Sequence, residues 1–439
     1  MPDIKKAIIL GAGPTGLSTA LLLSQRNNIS VTIYELRAAP ANIGGAIGIP
    51  SNGARLLSRL DGDGKIFSAL SERAPIVPKL VLHSASAGTV LGQAEWTAYA
   101  QRETGFGYMR VKRRDLVGVL FEAVGKDERI TVAFGKKVVA ITDEGEDDSP
   151  SAKITLTFED GTVDTADMLI GADGIHSAAR ELFVDPGVKK EYTGFAATFA
   201  SVRTESLSED LRPGILAMHG VLTTQGLFAV IPCTPSGDEL FWFFSRETPI
   251  PESDSADDDI QTRDGWEMRR RGEVSNFKRI LREYVAEVKG HWGAVLREII
   301  TATETIQFFP VYRLPSGGKW TRGRCILLGD AAHAMSPHAG QGVSMALEDA
   351  FALSRLLEKH NSLSLGEVWE RYEAVRRPRV NAITHNSEAN RNIRGRTGAW
   401  GLWAKEWMLL AGLWIYGMLG LGGWGIRQGY IVYDIEKEI

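Results

Sequence analysis

Lys6 to Leu10 (KAIIL) leads directly into Gly11-Ala12-Gly13-Pro14-Thr15-Gly16, and this junction decides the fold. The first run is short, largely apolar and typical of a buried strand in a parallel sheet. Gly11 permits a tight turn, Gly13 lets a pyrophosphate approach the backbone, and Gly16 allows the following helix to pack on the strand. We therefore predict the first strand–helix unit of a doubly wound, dinucleotide-binding α/β fold.

A second strand, Val31 to Tyr34, follows the helix predicted for Leu17 to Gln25 and ends at Glu35. A carboxylate at this place accepts hydrogen bonds from ribose hydroxyls, which favours an adenosine without a 2′-phosphate. The N-terminal end of the helix favours the charge of the phosphates. This unit alone is compatible with FAD and with NAD.

Two later segments also follow short apolar runs that are typical of buried strands. Asp173 stands at the tip of the first of these strands, where doubly wound sheets bind their ligands. A helix is predicted from Val343 to Glu358, directly after the second segment. The segments are Gly171 to Arg180 (GADGIHSAAR), and Gly329 to His333 (GDAAH) with Pro337 to Gly342 (PHAGQG).

In this order and at about these separations, the three segments resemble those of the single-component, NAD(P)H-dependent flavoprotein monooxygenases, the family of the aromatic hydroxylases such as salicylate hydroxylase. The ending Tyr430 to Asp434 is similar to the tails of fungal biosynthetic members. The resemblance implies non-covalent FAD, NADPH or NADH as a transient cosubstrate, and dioxygen. It further implies that a C4a-hydroperoxide of the flavin transfers one oxygen atom to an aromatic or olefinic carbon, by hydroxylation or epoxidation.

The resemblance also identifies a loop beside the isoalloxazine ring of the flavin. Gly45 and Ala46 lie in the matching stretch, from Asn42 to Pro50, where small residues let the backbone approach a flat ring. Arg113 matches an arginine of the family that contacts FAD.

The acids of the two later segments match further contacts to the cofactor. Asp173 matches a residue near the FAD pyrophosphate which, together with Arg180, is implicated in NAD(P)H use, and Asp330 matches the acid that binds the ribityl hydroxyls. The cofactor-binding residues implied by the resemblance are Gly11, Gly13, Pro14, Thr15, Gly16, Glu35, Gly45, Ala46, Arg113, Asp173, Asp330, Pro337, Gly340, Gln341 and Gly342.

We interpret four other polar side chains near these motifs as solvated or structural, not as catalytic. Arg110 and Arg114 belong to a basic cluster, and such clusters are usually solvated. His333 and His338 have no third ligand at a spacing suited to zinc, so we expect no metal site. His333 matches a histidine that the family keeps for structural reasons.

The segments between the nucleotide motifs predict a half-buried sheet that covers the flavin. Its clearest strands are the aromatic runs Gly226 to Pro232 and Glu239 to Phe244. Phe199 stands where relatives have an arginine, which favours a bulky, largely apolar, ring-containing substrate over a small phenolate or carboxylate. His219 and Gln225, on or beside a predicted strand, are the candidate catalytic residues, although a histidine without chemical function is more common.

We therefore predict an α/β protein with a doubly wound, Rossmann-like FAD-binding domain of the glutathione-reductase type, an inserted mixed β-sheet substrate domain and a helical C-terminal segment. The predicted ranges are 1–74, 102–181 and 305–360 for the FAD-binding domain, 75–101 and 182–304 for the substrate domain, and 361–439 for the C-terminal segment.

The C-terminal segment contains a long uncharged stretch, from Trp407 to Ile426, with five tryptophans in and just before it. The stretch is long enough to span a bilayer, and tryptophans also suit a membrane interface or a lid over an apolar substrate. We expect it to pack on the body of the enzyme or on the second subunit of a homodimer. Peripheral membrane contact is the alternative.

The composition narrows the function further. The chain has 439 residues and a formal net charge of −4, which makes nucleic acid an improbable partner. Cys233 and Cys325 are the only cysteines, which fits a reducing, cytoplasmic compartment. A flavin-dependent halogenase is one alternative, but its Trp-x-Trp-x-Ile-Pro segment is absent from the sequence. A non-catalytic FAD-fold protein that binds a lipid or prenyl group is the other.

Overall fold

The structure, a computed structural model, describes residues 4–40, 44–144, 152–213, 217–249, 266–268, 271–359, 363–426 and 428–439. The strands are β1 (Lys6–Leu10), β2 (Ser30–Tyr34), β3 (Ala46–Ile49), β4 (Lys79–His83), β5 (Val90–Glu95), β6 (Met109–Lys112), β7 (Ile130–Ala133), β8 (Val138–Asp143), β9 (Ile154–Phe158), β10 (Val163–Ala166), β11 (Met168–Gly171), β12 (Glu191–Arg203), β13 (Ala217–Leu222), β14 (Gly226–Pro232), β15 (Glu239–Glu247), β16 (Trp266–Met268), β17 (Ile306–Arg313), β18 (Thr321–Arg322) and β19 (Cys325–Leu327).

The described α-helices are α1 (Pro14–Asn27), α2 (Ser51–Arg59), α3 (Lys65–Ser71), α4 (Ala98–Thr104), α5 (Arg113–Val124), α6 (Arg271–Val285), α7 (Gly290–Ala302), α8 (Asp330–His333), α9 (Gly342–Lys359), α10 (Leu365–Ile393), α11 (Ala399–Met418) and α12 (Gly429–Val432). One π-helical turn spans Arg180–Val184, and 3₁₀ turns span Thr204–Ser206, Glu209–Leu211, Pro337–Ala339 and Ile435–Lys437.

A six-stranded sheet, in the order β18-β19-β11-β1-β2-β7, carries the nucleotide motifs. All of its neighbouring strands are parallel except β18, which pairs antiparallel with β19. Strand β1 is buried beyond Lys6 because the sheet is covered by other elements, as its unbroken apolar run predicts. Helix α1 packs against α5 and α9. The predicted doubly wound fold is confirmed.

An eight-stranded sheet, in the order β16-β17-β12-β15-β14-β13-β4-β5, forms the second layer. Its strands are antiparallel except for the parallel pair β13–β4, so the predicted mixed sheet is confirmed. Strand β17 falls in the range 305–360 that we predicted for the FAD-binding domain, yet it pairs with β12 in this sheet. The domain division as a whole stays a prediction.

The two faces of the eight-stranded sheet have different neighbours because side chains alternate along a strand. Trp242 and Phe244 belong to the face that packs against α6 and α7, which we call the helix face. Phe199, Phe241 and Phe243 belong to the opposite face and cluster with Ala46 of β3. We call this second face the ribbon face, because it meets the antiparallel two-stranded ribbon of β3 and β6.

The C-terminal segment begins with α10 and α11 and then returns to the six-stranded sheet layer. Ile435 is buried in the same core as β1, and Asp434 lies against Arg55 of α2. Helix α11 buries Leu402 and Glu406 but leaves its tryptophans exposed. Among the described residues, no helix is long and apolar enough to cross a membrane.

Candidate active site

The turn between β1 and α1 has the geometry of a nucleotide-binding turn. Gly11 has φ +97°, and a Cβ atom there would lie 2.5 Å from the carbonyl oxygen of Ala172. A Cβ atom on Gly16 would lie 2.0 Å from the carbonyl oxygen of Gly11, whereas one on Gly13 would have no neighbour within 4 Å. Gly11 and Gly16 are therefore required by the packing. Gly13 leaves open space at the N-terminal end of α1, beside Pro14 and Thr15.

Glu35 lies directly beside this turn. Its Oε2 accepts a hydrogen bond from the backbone N–H of Ala12 at 2.9 Å, and its Oε1 accepts one from the backbone N–H of Arg37 at 3.0 Å. These contacts fix the carboxylate at the end of β2. A carboxylate oxygen has more than one lone pair, so capacity remains for ribose hydroxyls.

Gly45, Ala46 and Arg113 meet at the start of the β3–β6 ribbon. The backbone N–H of Arg113 donates to the carbonyl oxygen of Gly45 at 3.0 Å. A Cβ atom on Gly45 would lie 2.2 Å from Cε2 of Phe241, so only glycine fits between the loop and the ribbon face. Asn42 and Ile43 of the same predicted loop lie outside the described residues.

Arg180 joins the two later motifs to each other. Its guanidinium donates to the carbonyl oxygen of Ala331 at 3.0 Å and to that of Ile175 at 2.6 Å. Asp173 accepts a hydrogen bond from the backbone N–H of Ala179 at 3.2 Å, and burial raises the pKa of its carboxyl. Asp173 thus stabilises the segment that follows β11, and Arg180 holds this segment against the one that follows β19. Their implied part in NAD(P)H use stays a prediction.

Asp330 begins α8 directly after Gly329, which has φ +59°. A Cβ atom on Gly329 would lie 2.7 Å from Oγ1 of Thr15, so the first and third motifs are in contact. Asp330 is exposed to solvent, yet the surrounding protein raises the pKa of its carboxyl, with His333 and Arg113 opposing that effect. A carboxyl that is open to solvent and is still desolvated by the protein around it is expected inside a deep cleft.

The segment from Pro337 to Gly342 crosses from α8 to α9. Gly340 has φ +62°, and neither Gly340 nor Gly342 has an atom within 4 Å of the place where a Cβ would stand. Gln341 is buried, and its Oε1 accepts a hydrogen bond from Nδ2 of Asn52 at 3.1 Å. The loop is held from behind and keeps open space on its other side.

His338 connects this segment to the ribbon face. Its Nε2 lies 3.1 Å from Oγ of Ser245 on β15. Burial, together with Arg394 and Arg391, lowers the pKa of His338 to about 3, so its ring is neutral. The Pro337–Gly342 segment and the eight-stranded sheet therefore meet through a hydrogen bond between two uncharged side chains.

His333 has the structural role that we expected. Its Nε2 contacts Oδ2 of Asp349 at 2.6 Å, and Asp349 also accepts from the backbone N–H of Gly329 at 2.8 Å and from Nε of Arg376 at 2.8 Å. This buried group fixes the strand tip that leads into Asp330. In the part of the chain that the structure describes, no group of histidine, cysteine and acidic residues could hold a metal ion.

His219 and Gln225, the predicted catalytic candidates, do not meet the nucleotide motifs. His219 pairs with Val230 on the helix face; its Nδ1 lies 3.0 Å from Nε2 of His83, and its ring stacks on Trp292 of α7. Gln225 lies in the turn between β13 and β14, with Nε2 3.4 Å from Oγ1 of Thr224. Their catalytic role stays a prediction that this geometry does not favour.

Sequence reasoning misjudged Arg110. We expected a solvated side chain, but Arg110 is only 8% exposed, and its Cζ lies 4.8 Å from the centroid of the Phe241 ring. Arg114, in contrast, is exposed as expected. The alternation of β6 was the available signal, since Tyr108, Arg110 and Lys112 share the side that meets the ribbon face.

The comparisons with known proteins decide the family. Residues 5–266 and 313–387 match the family described as FAD binding domain. The chain belongs to this family. FAD fits the residues present, because the open space beside Gly13, Gly340 and Gly342 and the cleft carboxylate of Asp330 are what its phosphates, ring and ribityl chain require.

Named relatives agree with this membership. The chain is 27% identical to 6-hydroxynicotinate 3-monooxygenase of Pseudomonas fluorescens, over 88% of this chain and 92% of the relative. It is 27% identical to the FAD-dependent monooxygenase penM of Penicillium crustosum, over 89% of this chain and 79% of the relative.

A solved structure shares the fold. Klebsiella pneumoniae HpxO complexed with FAD and uric acid superposes with a TM-score of 0.74 at 25% identity, over 92% of each chain. The predicted class, an FAD-dependent monooxygenase that uses NAD(P)H and dioxygen, is confirmed, and these relatives do not fit the halogenase or lipid-binding alternatives.

Proposed function

We propose that this enzyme hydroxylates an aromatic small molecule held between the ribbon face and the flavin. The observation that carries this proposal is the meeting of three distant motifs beside an aromatic wall. The Phe199 ring lies 5.6 Å from the Phe241 ring and 5.3 Å from the Phe309 ring, by centroid distance. Such a wall suits an aromatic ring and excludes water from the reacting atoms.

The chain's own residues would bind FAD in three places. Gly13, with Pro14 and Thr15, would admit the pyrophosphate at the N-terminal end of α1, and Glu35 would accept hydrogen bonds from the adenosine ribose. Asp330 would accept hydrogen bonds from the ribityl hydroxyls, near Arg113.

The isoalloxazine ring would lie between the Gly45–Ala46 loop and the Pro337–Gly342 segment. The N-terminal end of α9 would place a positive dipole beside the ring, where reduced flavin carries negative charge. Bound FAD, reduced by NAD(P)H, supplies the activation of dioxygen for oxygen transfer.

NADPH or NADH would bind transiently in the same cleft. Within the described ranges, β1 and α1 form the one glycine-turn unit that is followed by a strand ending in an acid. We therefore propose that NADPH or NADH binds without a second nucleotide-binding fold of its own. Asp173 and Arg180 lie in the segment that follows the neighbouring strand β11.

The name of 6-hydroxynicotinate 3-monooxygenase gives a nitrogen-containing, oxygenated aromatic ring as the substrate of that relative, and HpxO was solved in complex with uric acid. We propose a ring-containing substrate for this chain as well. A helix surface with exposed tryptophans on α11 would attach the enzyme peripherally to a membrane, since tryptophan favours the interface and the stretch from Trp407 to Ile426 has no charge.

The test is a flavin and turnover assay on the purified full-length chain. We expect oxidised flavin absorption, FAD released on denaturation, and NADPH or NADH oxidation that aromatic compounds accelerate. Asp330→Ala should lower FAD affinity roughly ten- to a hundredfold, because it removes a charged acceptor. Colourless protein that FAD does not reconstitute, or bromide-dependent product halogenation, would contradict the proposal.

A further inference from the structure

Arg110 is a buried cation on the side of β6 that meets the ribbon face. It lies on β6, which lines the ribbon face, and it is 8% exposed. Its guanidinium covers Phe241, the ring that also touches the place of a Gly45 Cβ at 2.2 Å. Arg110 is thus located where the Gly45–Ala46 loop and the β3–β6 ribbon meet the aromatic wall that contains Phe241.

This cation has no negative partner in the described structure. Nε of Arg110 is buried without a hydrogen-bond partner, and Arg110 forms no ion pair with any described residue. Glu239, two residues before Phe241 on β15, is already paired with Lys112. Cys233, the polar neighbour, stays a neutral thiol because burial raises its pKa to about 12.

A buried guanidinium without a counter-ion is costly, and proteins normally pair such a group. Its planar fork matches a carboxylate, to which it can donate two parallel hydrogen bonds. The Phe241 ring below it would stack with an aromatic system attached to that carboxylate. The missing partner is therefore best supplied by the substrate.

We propose that Arg110 is a specificity-determining residue that binds the carboxylate of an aromatic acid, which rests on the proposed function and specifies its substrate class. The anchor that Phe199 does not provide comes from β6 instead of from the large sheet. The largely apolar substrate that Phe199 suggested becomes an aromatic ring with one acidic group.

The test compares acids with their neutral amides on the FAD-loaded enzyme. The probes are salicylate, 4-hydroxybenzoate, 6-hydroxynicotinate and 1-hydroxy-2-naphthoate, each beside its carboxamide, and the readout is the change in flavin absorption. We expect at least one acid to bind about tenfold or more tightly than its amide. A wild-type enzyme that responds to none of the acids, or equally to acid and amide, overturns the inference.

Three variants show whether Arg110 causes this preference. Arg110→Met should weaken acid binding roughly ten- to a hundredfold while the affinity for amides is kept. Arg110→Lys should restore part of the loss, because it returns the charge without the fork. Arg114→Gln is the matched control, since Arg114 is an exposed arginine four residues further along, and it should behave as wild type.

Substrate-free stability separates a binding role from a packing role. We expect Arg110→Met to keep its FAD and to raise the melting temperature of the ligand-free enzyme by about 1–3 °C, because an uncompensated charge is removed. A lower melting temperature would mean that Arg110 stabilises the fold, and loss of FAD would mean that it contacts the cofactor. Either result overturns the inference, whereas the proposed function fails only if FAD or NAD(P)H oxidation is missing in wild type.

Discussion

At the scale of single residues, the three glycines of the first motif have different physical roles that the pattern alone does not separate. Gly16 is in contact with the turn itself, because a Cβ atom would lie 2.0 Å from the carbonyl oxygen of Gly11. Gly13 has φ −81° and ψ 179°, which any residue adopts, and open space around it. Glycine is therefore needed at position 13 only if a ligand closely approaches the backbone there.

We therefore expect Gly13→Val to abolish FAD binding while the melting temperature of the apoprotein stays unchanged. Gly16→Ala should instead lower the unfolding free energy of the apoprotein by about 1–3 kcal/mol, because its methyl group overpacks the turn. FAD titration and thermal unfolding of both variants check this contrast. A Gly13→Val protein with normal FAD affinity would show that the pyrophosphate lies elsewhere.

His338 gives the protein a pH dependence with a defined direction. Burial lowers the pKa of its ring to about 3 in the folded chain, against about 6.5 in the unfolded chain. Below about pH 6.5 the unfolded chain binds a proton that the folded chain does not, so stability is lost as the pH falls toward 3. Buried His83, with a pKa of about 4, acts in the same direction.

His338→Gln removes this proton uptake and keeps a partner for Ser245. Relative to wild type, the variant should gain about 2 kcal/mol of unfolding free energy when the pH is lowered from 7.5 to 4.5. Urea unfolding of the FAD-saturated proteins at both pH values measures the difference. His385→Gln, at an exposed histidine, is the control; equal pH dependence of wild type and His338→Gln would refute the assignment.

At the scale of elements, strand positions were predictable and strand faces were not. Strand β1 and strand β14 have the predicted bounds, and α9 exceeds its predicted range by one residue at each end. Local apolar runs and glycines carry that information. The face that His219 occupies depends on which side of β13 packs against Trp292 of α7, a long-range contact that no local pattern contains.

The same limit explains why Arg110 was misjudged. A basic cluster predicts solvent exposure only if nothing covers it, and here the eight-stranded sheet covers β6. The cofactor motifs, in contrast, were locatable because each one begins with a buried strand that leads into glycine, and the two later motifs place an acid within a few residues of that strand. Their convergence came from the resemblance, and the parallel pairing of β1, β11 and β19 provides its physical basis.

Helices α9 and α10 are joined by buried charges that support the cofactor loop. Arg376 is fully buried and contacts Glu348 at 2.7 Å and Asp349 at 2.8 Å. Burial acts to raise the pKa values of both carboxyls, but Arg376 and Arg379 lower the pKa of Glu348, and His333 and Arg376 lower the pKa of Asp349. Glu348 also accepts from Asn52, which contacts Gln341 of the flavin segment.

Arg376→Ala leaves two carboxylates buried side by side, so the unfolding free energy should fall by about 3–5 kcal/mol. Arg355→Ala, which removes a partly exposed arginine paired with Glu358, should cost only about 0–1 kcal/mol. Chemical unfolding of the two FAD-saturated variants compares them. A small effect of Arg376→Ala would mean that the cluster does not hold α10 on α9.

At the scale of the whole molecule, the tail has two parts with different tasks. Residues 428–439 pack on the six-stranded sheet layer, where Glu436 pairs with Arg26 and Arg59. Helix α11 lies along β5 instead, and Trp400 is 84% exposed while Trp424 in the following turns is 80% exposed. We expected the body of the enzyme to cover these tryptophans, but the structure leaves them exposed.

We expect the combined variant Trp400→Gln, Trp403→Gln, Trp407→Gln and Trp414→Gln to keep its stability and activity but to lose flotation with phosphatidylcholine–phosphatidylserine vesicles, because exposed tryptophans favour the membrane interface. Leu402→Ala, at a buried position of the same helix, should lower stability and leave flotation intact. If wild type does not float and the tryptophan variant only dissociates a dimer in gel filtration, a second subunit covers the face.

The most direct test of the central claim is the fate of isotopic dioxygen. With ¹⁸O₂, NADPH or NADH, and an aromatic compound that accelerates flavin reduction, mass spectrometry should find one ¹⁸O atom in the product and none from solvent water. A product that takes its oxygen from labelled water, or NAD(P)H oxidation that yields only hydrogen peroxide with every aromatic compound, would contradict the account.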